Sequence, residues 1–436
     1  MIAQDKNFKR FLVVWSGQLC SAIGSGLTAF ALGVFVFQNT QSATSYSLVI
    51  LFSFLPTFFL LPFGGVLADR IDRKKMMIIG DAGAITGVLF VLLVMLWGSV
   101  ELWHIYFGIA MSSIFVAIHN PAYKAAVTDL VTEELYSKAS GLIQLAGSAQ
   151  YLISPIVAGF LISFFDIKVI LIFDIITFLF AIAAVSMIKK QDVTPQDQHL
   201  EKQRFFIDMV DSLRYLLSQK GVLWLVILTS MVCFYIALFQ SLFGPMMLTI
   251  TDSKTLGIAL SISASGMLVS SLFIGICGIN KSKVIILSLS LALAGLFYAL
   301  VGLSTTVTFI IIFCFLFFCT LPFVNTTLEV LIRRNVDNEK QGRVWSLVYA
   351  ISQVGYILAF GSAGFLADYL FNPLFYPDGA LSRTVGQIIG TGQGRGIGFL
   401  FFLSGLVVSI LAIIIGRVKK IRALELSTVG QANLNH

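Results

Sequence analysis

Asp174 is a lone carboxylate inside a run of isoleucine, leucine, valine and phenylalanine, roughly seven residues from the start of that run. Three other ionisable side chains share this kind of setting: Asp81, Glu329 and His119 lie toward the ends of other long apolar runs. A charged side chain at the centre of a membrane span costs about 2.5–3.5 kcal/mol on insertion scales, so such residues are functional candidates by default. Burial favours the neutral acid over the carboxylate, which suits a group that takes up and releases a proton. Around Asp174, the residues Ile170, Thr177, Ala181 and Ala184 recur at helical spacing on one face, mostly small or polar. That face should meet protein or water rather than lipid. Two roles stay open for Asp174, proton coupling and a structural hydrogen bond to a neighbouring helix. For Asp81, Glu329 and His119 the alternatives are proton shuttling and ion pairing at the cytoplasmic side with Lys124 and nearby arginines.

The elements that must position these residues follow from composition. The 436 residues are 57% hydrophobic and 12% charged, with a mean hydropathy of +0.92, against about a quarter charged in ordinary soluble domains. A spanning helix needs about 20 apolar residues. Twelve such runs occur, at approximately 11–37, 45–68, 76–98, 103–123, 139–163, 168–188, 221–249, 255–279, 283–304, 307–330, 343–368 and 394–416. They are continuous and too long for the short alternating strands of a membrane barrel. With the N-terminus in the cytoplasm, 25 of the 29 lysines and arginines fall on the cytoplasmic side, leaving Lys168, Lys254, Arg383 and Arg395 outside. This is the positive-inside bias, so both termini are expected in the cytoplasm. The net charge of +7 then reports topology, and no nucleic-acid partner is expected. The first run is too long for a cleaved signal core and lacks a small-residue cleavage site. All five cysteines lie in apolar runs without metal-ligand spacing. No metal or cofactor is expected. Enzyme chemistry is not expected either: no Ser/His/Asp set and no phosphate-cradling glycine loop is present, and the glycines between 379 and 398 do not follow a strand.

The polar segment 189–220 divides six runs from six. It reads as a cytoplasmic linker whose second part, Phe205 to Leu217, has the apolar spacing of an amphipathic helix at the membrane surface. Asn120 to Gln144 aligns without a gap on Asn325 to Tyr349, pairing Val131 with Val336, Glu134 with Glu339 and Lys138 with Arg343. Both copies stand at the junction of the fourth and fifth run of their half. Such parallel repeats are a plan used by secondary transporters.

Between the second and third runs lies the charged hairpin Gly65-Val66-Leu67-Ala68-Asp69-Arg70-Ile71-Asp72-Arg73-Lys74-Lys75. It resembles the G-x-x-x-D-R-x-G-R-R/K signature of the major facilitator superfamily. Gly65, Asp69, Arg70, Arg73 and Lys74 match, while Asp72 stands where the signature has its second glycine. Further likeness lies in Trp15-Ser16-Gly17-Gln18, Leu55-Pro56, Pro62, His119-Asn120-Pro121-Ala122 and Gly342-Arg343-Val344. These make the chain similar to the macrolide-efflux and siderophore-exporter branch of the drug:proton antiporters, over about residues 10 to 420. The resemblance implies that Asp69 helps hold the cytoplasmic side closed by meeting the start of the eleventh helix, where unpaired amides favour an anion. The alternative for the basic residues is a topology anchor. Pro155 and Gly159, in Ser154-Pro155-Ile156-Val157-Ala158-Gly159, resemble the antiporter signature G-P-x-x-G-G of the fifth helix. A packing kink is the plainer reading.

Polar stripes on apolar helices supply the candidates for substrate contact: Gln18 and Ser21, Gln144 and Tyr151, Gln240, Asn325, and Gln353 and Tyr356. With 39 Phe and 12 Tyr and no evident central charged pair, a bulky amphipathic compound fits such a cavity best, since ligand pockets are mostly apolar with a few placed polar groups.

The sequence therefore predicts an all-α membrane protein of twelve transmembrane helices in two pseudo-symmetric six-helix halves, 1–188 and 221–420, joined by the linker and followed by a cytoplasmic tail, 421–436. The expected function is secondary active export of a bulky amphipathic molecule by alternating access in exchange for protons, from a bacterial inner membrane, as a monomer among membrane lipids. A facilitator or importer of the same fold, and a non-transporting receptor or scaffold, are the alternatives.

Overall fold

Within a bilayer core every backbone N–H and C=O must find a partner inside the protein, and the twelve apolar runs do so as helices. The computed structural model describes residues 2–68, 71–187, 213–279, 282–337 and 340–418. The spanning helices are α1 (Ile2–Thr40), α2 (Ala43–Ala68), α3 (Arg73–Trp97), α4 (Leu102–Leu130), α5 (Tyr136–Phe164), α6 (Ile167–Ser186), α7 (Lys220–Leu248), α8 (Ser253–Cys277), α9 (Lys283–Leu303), α10 (Val307–Arg334), α11 (Gln341–Phe365) and α12 (Arg395–Arg417). All twelve are long and apolar enough to cross a membrane. Side-chain caps mark several starts: Asp72 accepts from the Lys75 amide, Asp166 from Lys168 and Ser282 from Ile285, satisfying donors that a helix leaves unpaired. α11 continues as a π segment, Leu366–Phe371, and a last turn, Asn372–Leu374.

The halves share part of their neighbour pattern: α1 on α5 corresponds to α7 on α11, and α3 on α4 and α6 to α9 on α10 and α12. In the first, α1 packs on α5 and α6, α3 on α4 and α6, and α2 on α4; in the second, α7 packs on α11, and α9 on α10 and α12. Closest approach uses glycines. A Cβ on Gly295 would strike the Gly405 carbonyl and the Ser409 hydroxyl, and one on Gly302 the Gly398 carbonyl, so α9 and α12 touch backbone to backbone. Small residues at helix interfaces supply van der Waals contact where lipid removes the hydrophobic drive.

In the first half, one end of the core gathers Phe11, Met76, Met77, Val127 and Val185, and the other Leu32, Val36, Val88, Val91, Leu171 and Phe178. The second half is centred on Leu225, Leu287, Leu328, Leu331 and Val344, with Phe239, Tyr298, Phe317 and Phe401 in mutual ring contact. The matched repeat positions Val131 and Val336 are both buried where the fourth helix of each half gives way to the fifth. On α6 the stripe Ile170, Asp174, Thr177, Ala181 and Ala184 is buried, while Phe173, Ile176, Leu179 and Phe180 are exposed on the other face.

Contacts group the chain as Met1–Gln196 with Thr251–Ser261, and Asp197–Ile250 with Ile262–His436. The first turns of α8 thus pack with the amino-terminal helices. Residues 188–212, which include most of the linker, and 419–436, which include the tail, lie outside the described residues; residues 213–218 are helical, with Leu216 buried.

Candidate functional site

α6 carries Asp174 into the amino-terminal half at 1% exposure. α1 comes this close because residue 24 is glycine, where a Cβ would strike the Thr177 hydroxyl and the Asp174 carboxylate. Its neighbours are hydroxyls. Ser25 donates to Asp174 Oδ1 at 3.4 Å, and Thr177 donates to the Asp174 main-chain carbonyl at 2.7 Å while standing 3.5 Å from Oδ1. A carboxylate held by neutral donors alone, away from water, keeps the option of carrying a proton.

A second cluster joins three helices of the same half. His119 Nε2 of α4 stands 3.4 Å from Asp81 Oδ1 of α3, within ion-pair distance but making no hydrogen bond, and Gln18 of α1 donates to Asp81 Oδ2 at 3.3 Å. Asp81 is 3% exposed and His119 7%. Gly80 permits the approach, since a Cβ there would press on His119 Cβ at 2.6 Å. Tyr123, one turn along α4, lies with its ring 6.0 Å from the imidazole, and its buried hydroxyl has no hydrogen-bond partner. Asp81 therefore pairs with His119, and Lys124 is exposed. Sequence spacing could not have found the pair, because it depends on the rotation of α3 against α4.

Of the charged hairpin, Asp69 and Arg70 lie outside the described residues; Gly65 is in the last turns of α2. Asp72 has φ −49°, so the turn needs no left-handed residue there, and its side chain caps α3. Arg73 bonds the Asp129 carboxylate at 2.5 Å and the Ala125 carbonyl at 3.1 Å, tying the start of α3 to the end of α4. Lys74 donates to the Ser186 carbonyl at the end of α6 at 2.6 Å. The basic residues of the signature thus fasten three helix ends together.

Pro155 lies within α5, and the segment around it is a packing surface. Ser154 donates to the Ile23 carbonyl of α1 at 2.9 Å. A Cβ on Gly159 would press on the Ser253 carbonyl at 2.6 Å, and one on Gly257 would strike the Pro155 carbonyl. Gln38 at the end of α1 donates to the Ser253 hydroxyl at 3.2 Å. Small residues here let α1, α5 and the start of α8 meet closely.

The remaining candidates separate by exposure. Gln18 and Ser21 are buried, Gln18 engaged with Asp81. Gln144, Tyr151, Gln240 and Asn325 are exposed, and Gln353, half-buried, donates to the Tyr349 hydroxyl at 2.9 Å. Tyr356 is half-buried. Glu329 is exposed and paired with Arg333 one turn on, at 2.7 Å. A hydroxyl group of α2 and α4 escaped notice in the sequence: Ser113 donates to the Ser53 carbonyl at 2.5 Å, and its hydroxyl shares a hydrogen bond with Thr57 at 2.8 Å. Serine and threonine on apolar helices carry no signal of their own beyond polarity. Among the described residues no three His, Cys, Asp or Glu side chains converge as a metal site.

Comparison with known proteins agrees with this geometry. The chain is 26% identical over 421 residues to macrolide efflux protein A of Streptococcus pyogenes, covering 96% of this chain and 98% of that one. It is 27% identical to the enterobactin exporter EntS of Shigella flexneri over 158 residues, 36% of this chain and 38% of the other. The crystal structure of the nucleoside transporter NupG superposes with a TM-score of 0.70 at 14% identity, covering 94% of this chain and all of that one. Residues 14–360 match the Major Facilitator Superfamily family model. With that match over most of its length and twelve apolar helices long enough to span a membrane among its described residues, the chain belongs to the Major Facilitator Superfamily of membrane transporters.

Proposed function

We propose that this secondary transporter exports a bulky amphipathic small molecule in exchange for protons, by alternating access across a bacterial inner membrane. The observation that carries the coupling is Asp174, sealed within the first half with hydroxyl partners only. Asp81 with His119 is the second place where a proton can be held inside the same half. Likeness over nearly the whole chain to a macrolide efflux protein supports the direction and the substrate class, as do the apolar helices. In this reading both termini are cytoplasmic, the protein works as a monomer, and the hairpin from Gly65 to Lys74, Asp69 included, braces the cytoplasmic side.

The test is flux in vesicles of purified protein under an imposed pH gradient, with an amphipathic macrolide as the transported probe. Movement of the probe against its gradient, driven by proton flow in the opposite sense and abolished by a protonophore, is the expected result. Flux that runs only down the probe's own gradient identifies a facilitator. No flux, with retained binding of a protein partner, identifies a scaffold.

A further inference from the structure

α1 outruns the helix it packs on. α6 ends at Ser186, whereas α1 continues back to Ile2 from its contact at Gly17, where a Cβ would meet Ala184 at 2.8 Å. At 1.5 Å per residue the overhang is about 20 Å. The step beside it holds a cavity of about 200 Å³, lined by Lys9, Arg10 and Val13 of α1 and by Ala184 and Met187 at the end of α6. Two of these five residues are cations, and among the described residues the lining has no Asp or Glu.

The end of a helix by itself repels an anion, because its last carbonyls are unpaired. Lys74 offsets that here: it donates to the Ser186 carbonyl at 2.6 Å, next in the chain to Met187. A third cation thus stands beside the cavity. The carboxylates of the neighbouring helix ends are engaged elsewhere, Asp129 with Arg73 and Asp72 with the Lys75 amide, and neither lines the cavity.

The other side of the site is apolar and open. Val13 is 42% exposed and Met187 72%. Met187 lies two turns beyond Phe180 and three beyond Ile176 on one stripe of α6, and both of those are more than half exposed. Exposed apolar stripes on spanning helices meet hydrocarbon, so basic side chains and a lipid-facing stripe adjoin where α6 leaves the bilayer core.

Size and charge together select the occupant. The volume is about seven times the ~30 Å³ share of one water in the liquid, enough for a phosphodiester with its glycerol and too little for a whole lipid. Basic pockets between helices at the membrane surface take anionic headgroups, and arginine's planar fork suits phosphate oxygens. A choline or ethanolamine headgroup would bring its own cation to Lys9 and Arg10, with no carboxylate in the lining to receive it. A headgroup without a cation leaves the phosphate charge to the protein.

We propose that the step between α1 and α6 binds one anionic glycerophospholipid, its phosphate held by Lys9 and Arg10 and an acyl chain laid along Met187 and Phe180. A charge that only set topology would need no lined cavity.

Quenching by labelled lipid tests it on the purified full-length protein in phosphatidylcholine vesicles. Phe180→Cys, in a background lacking the five free cysteines, carries the fluorophore. The quenchers are phosphatidylglycerol and phosphatidylcholine, each with a nitroxide high on one acyl chain. Phosphatidylglycerol is expected to quench at a mole fraction roughly fivefold lower, the factor that one basic side chain near an anionic lipid surface supplies. Lys9→Gln/Arg10→Gln should bring the two lipids level. Val13→Trp, which fills the groove and keeps both charges, should do the same and keeps the test decisive if the charge variant fails to fold. Arg333→Gln/Arg334→Gln, at the exposed basic end of α10, should leave the preference intact. Equal quenching by the two lipids before these changes overturns the proposal, as does a preference that survives Val13→Trp. A preference lost equally in the α10 variant overturns it by marking general surface charge. Its loss on adding water-soluble glycerol 3-phosphate also overturns it, marking a site for free phosphate instead.

Discussion

His119 and Asp81 face each other across α3 and α4 with 3.4 Å between imidazole nitrogen and carboxylate oxygen, sealed from solvent and held from a third side by Gln18. Removing one member of a buried pair costs about 3–5 kcal/mol when it strands the other's charge. His119→Ala is therefore expected to lower the melting temperature of the purified protein more than the double change His119→Ala/Asp81→Asn does, because the second substitution removes the stranded carboxylate. Melting curves of the single and double variants check this. Simple addition of the two losses would show that the residues do not interact.

Arg73 and Asp129 are each about a quarter exposed, so their link is partly screened by solvent. Asp129→Asn should cost about 1 kcal/mol, at the upper end for accessible ion pairs, and the difference from wild type should shrink as salt is raised. Melts at low and high potassium chloride measure it. A deficit that salt does not change would place the effect in packing.

Gln38 and Ser253 lie within hydrogen-bonding distance, so the end of α1 and the start of α8 are docked. In a background lacking the five free cysteines, the pair Gln38→Cys/Ser253→Cys should be joined by a short bifunctional thiol reagent, with a mobility shift on a denaturing gel. Under alternating access this bridge should also halt transport. Full transport by crosslinked protein would show that the docking stays closed through the cycle.

Cytoplasmic termini are tested by labelling. Ser218→Cys and Gln387→Cys place thiols at exposed positions. In cells, an impermeant maleimide should reach the second and not the first. Ser382 is a poor choice for this purpose, since it is buried and its hydroxyl bonds the Gly379 carbonyl.

Much of the architecture is legible in the sequence because a bilayer asks for one thing, about 20 apolar residues per crossing. The ends are less legible. α1 runs on to Thr40, past the point where apolar residues give out, because Asn39 and Thr40 turn their side chains back onto the carbonyls of Phe35 and Val36. α11 outlasts its expected end near 368 by changing its hydrogen-bond register at Leu366 rather than stopping. The buried face of α6 follows from spacing alone, with Asp174 in its middle. That Asp174 meets Ser25, and Asp81 meets His119, depends on how far Gly24 and Gly80 let neighbouring helices approach and turn. Contacts of that kind are set by side-chain absence, which hydropathy does not record.

The glycine seam between α9 and α12 has a mechanical meaning. With Gly295 and Gly302 against Gly405 and Gly398, no layer of adjustable side chains separates the two backbones, and side chains are what normally absorb a small slide or tilt. The two helices are thus welded into one strut of double thickness. Bending in the carboxy-terminal half then falls to α11, whose π segment at Leu366–Phe371 already breaks the regular ladder and leaves a point of lower stiffness. Loads that reach this half arrive at a stiff beam beside a compliant one.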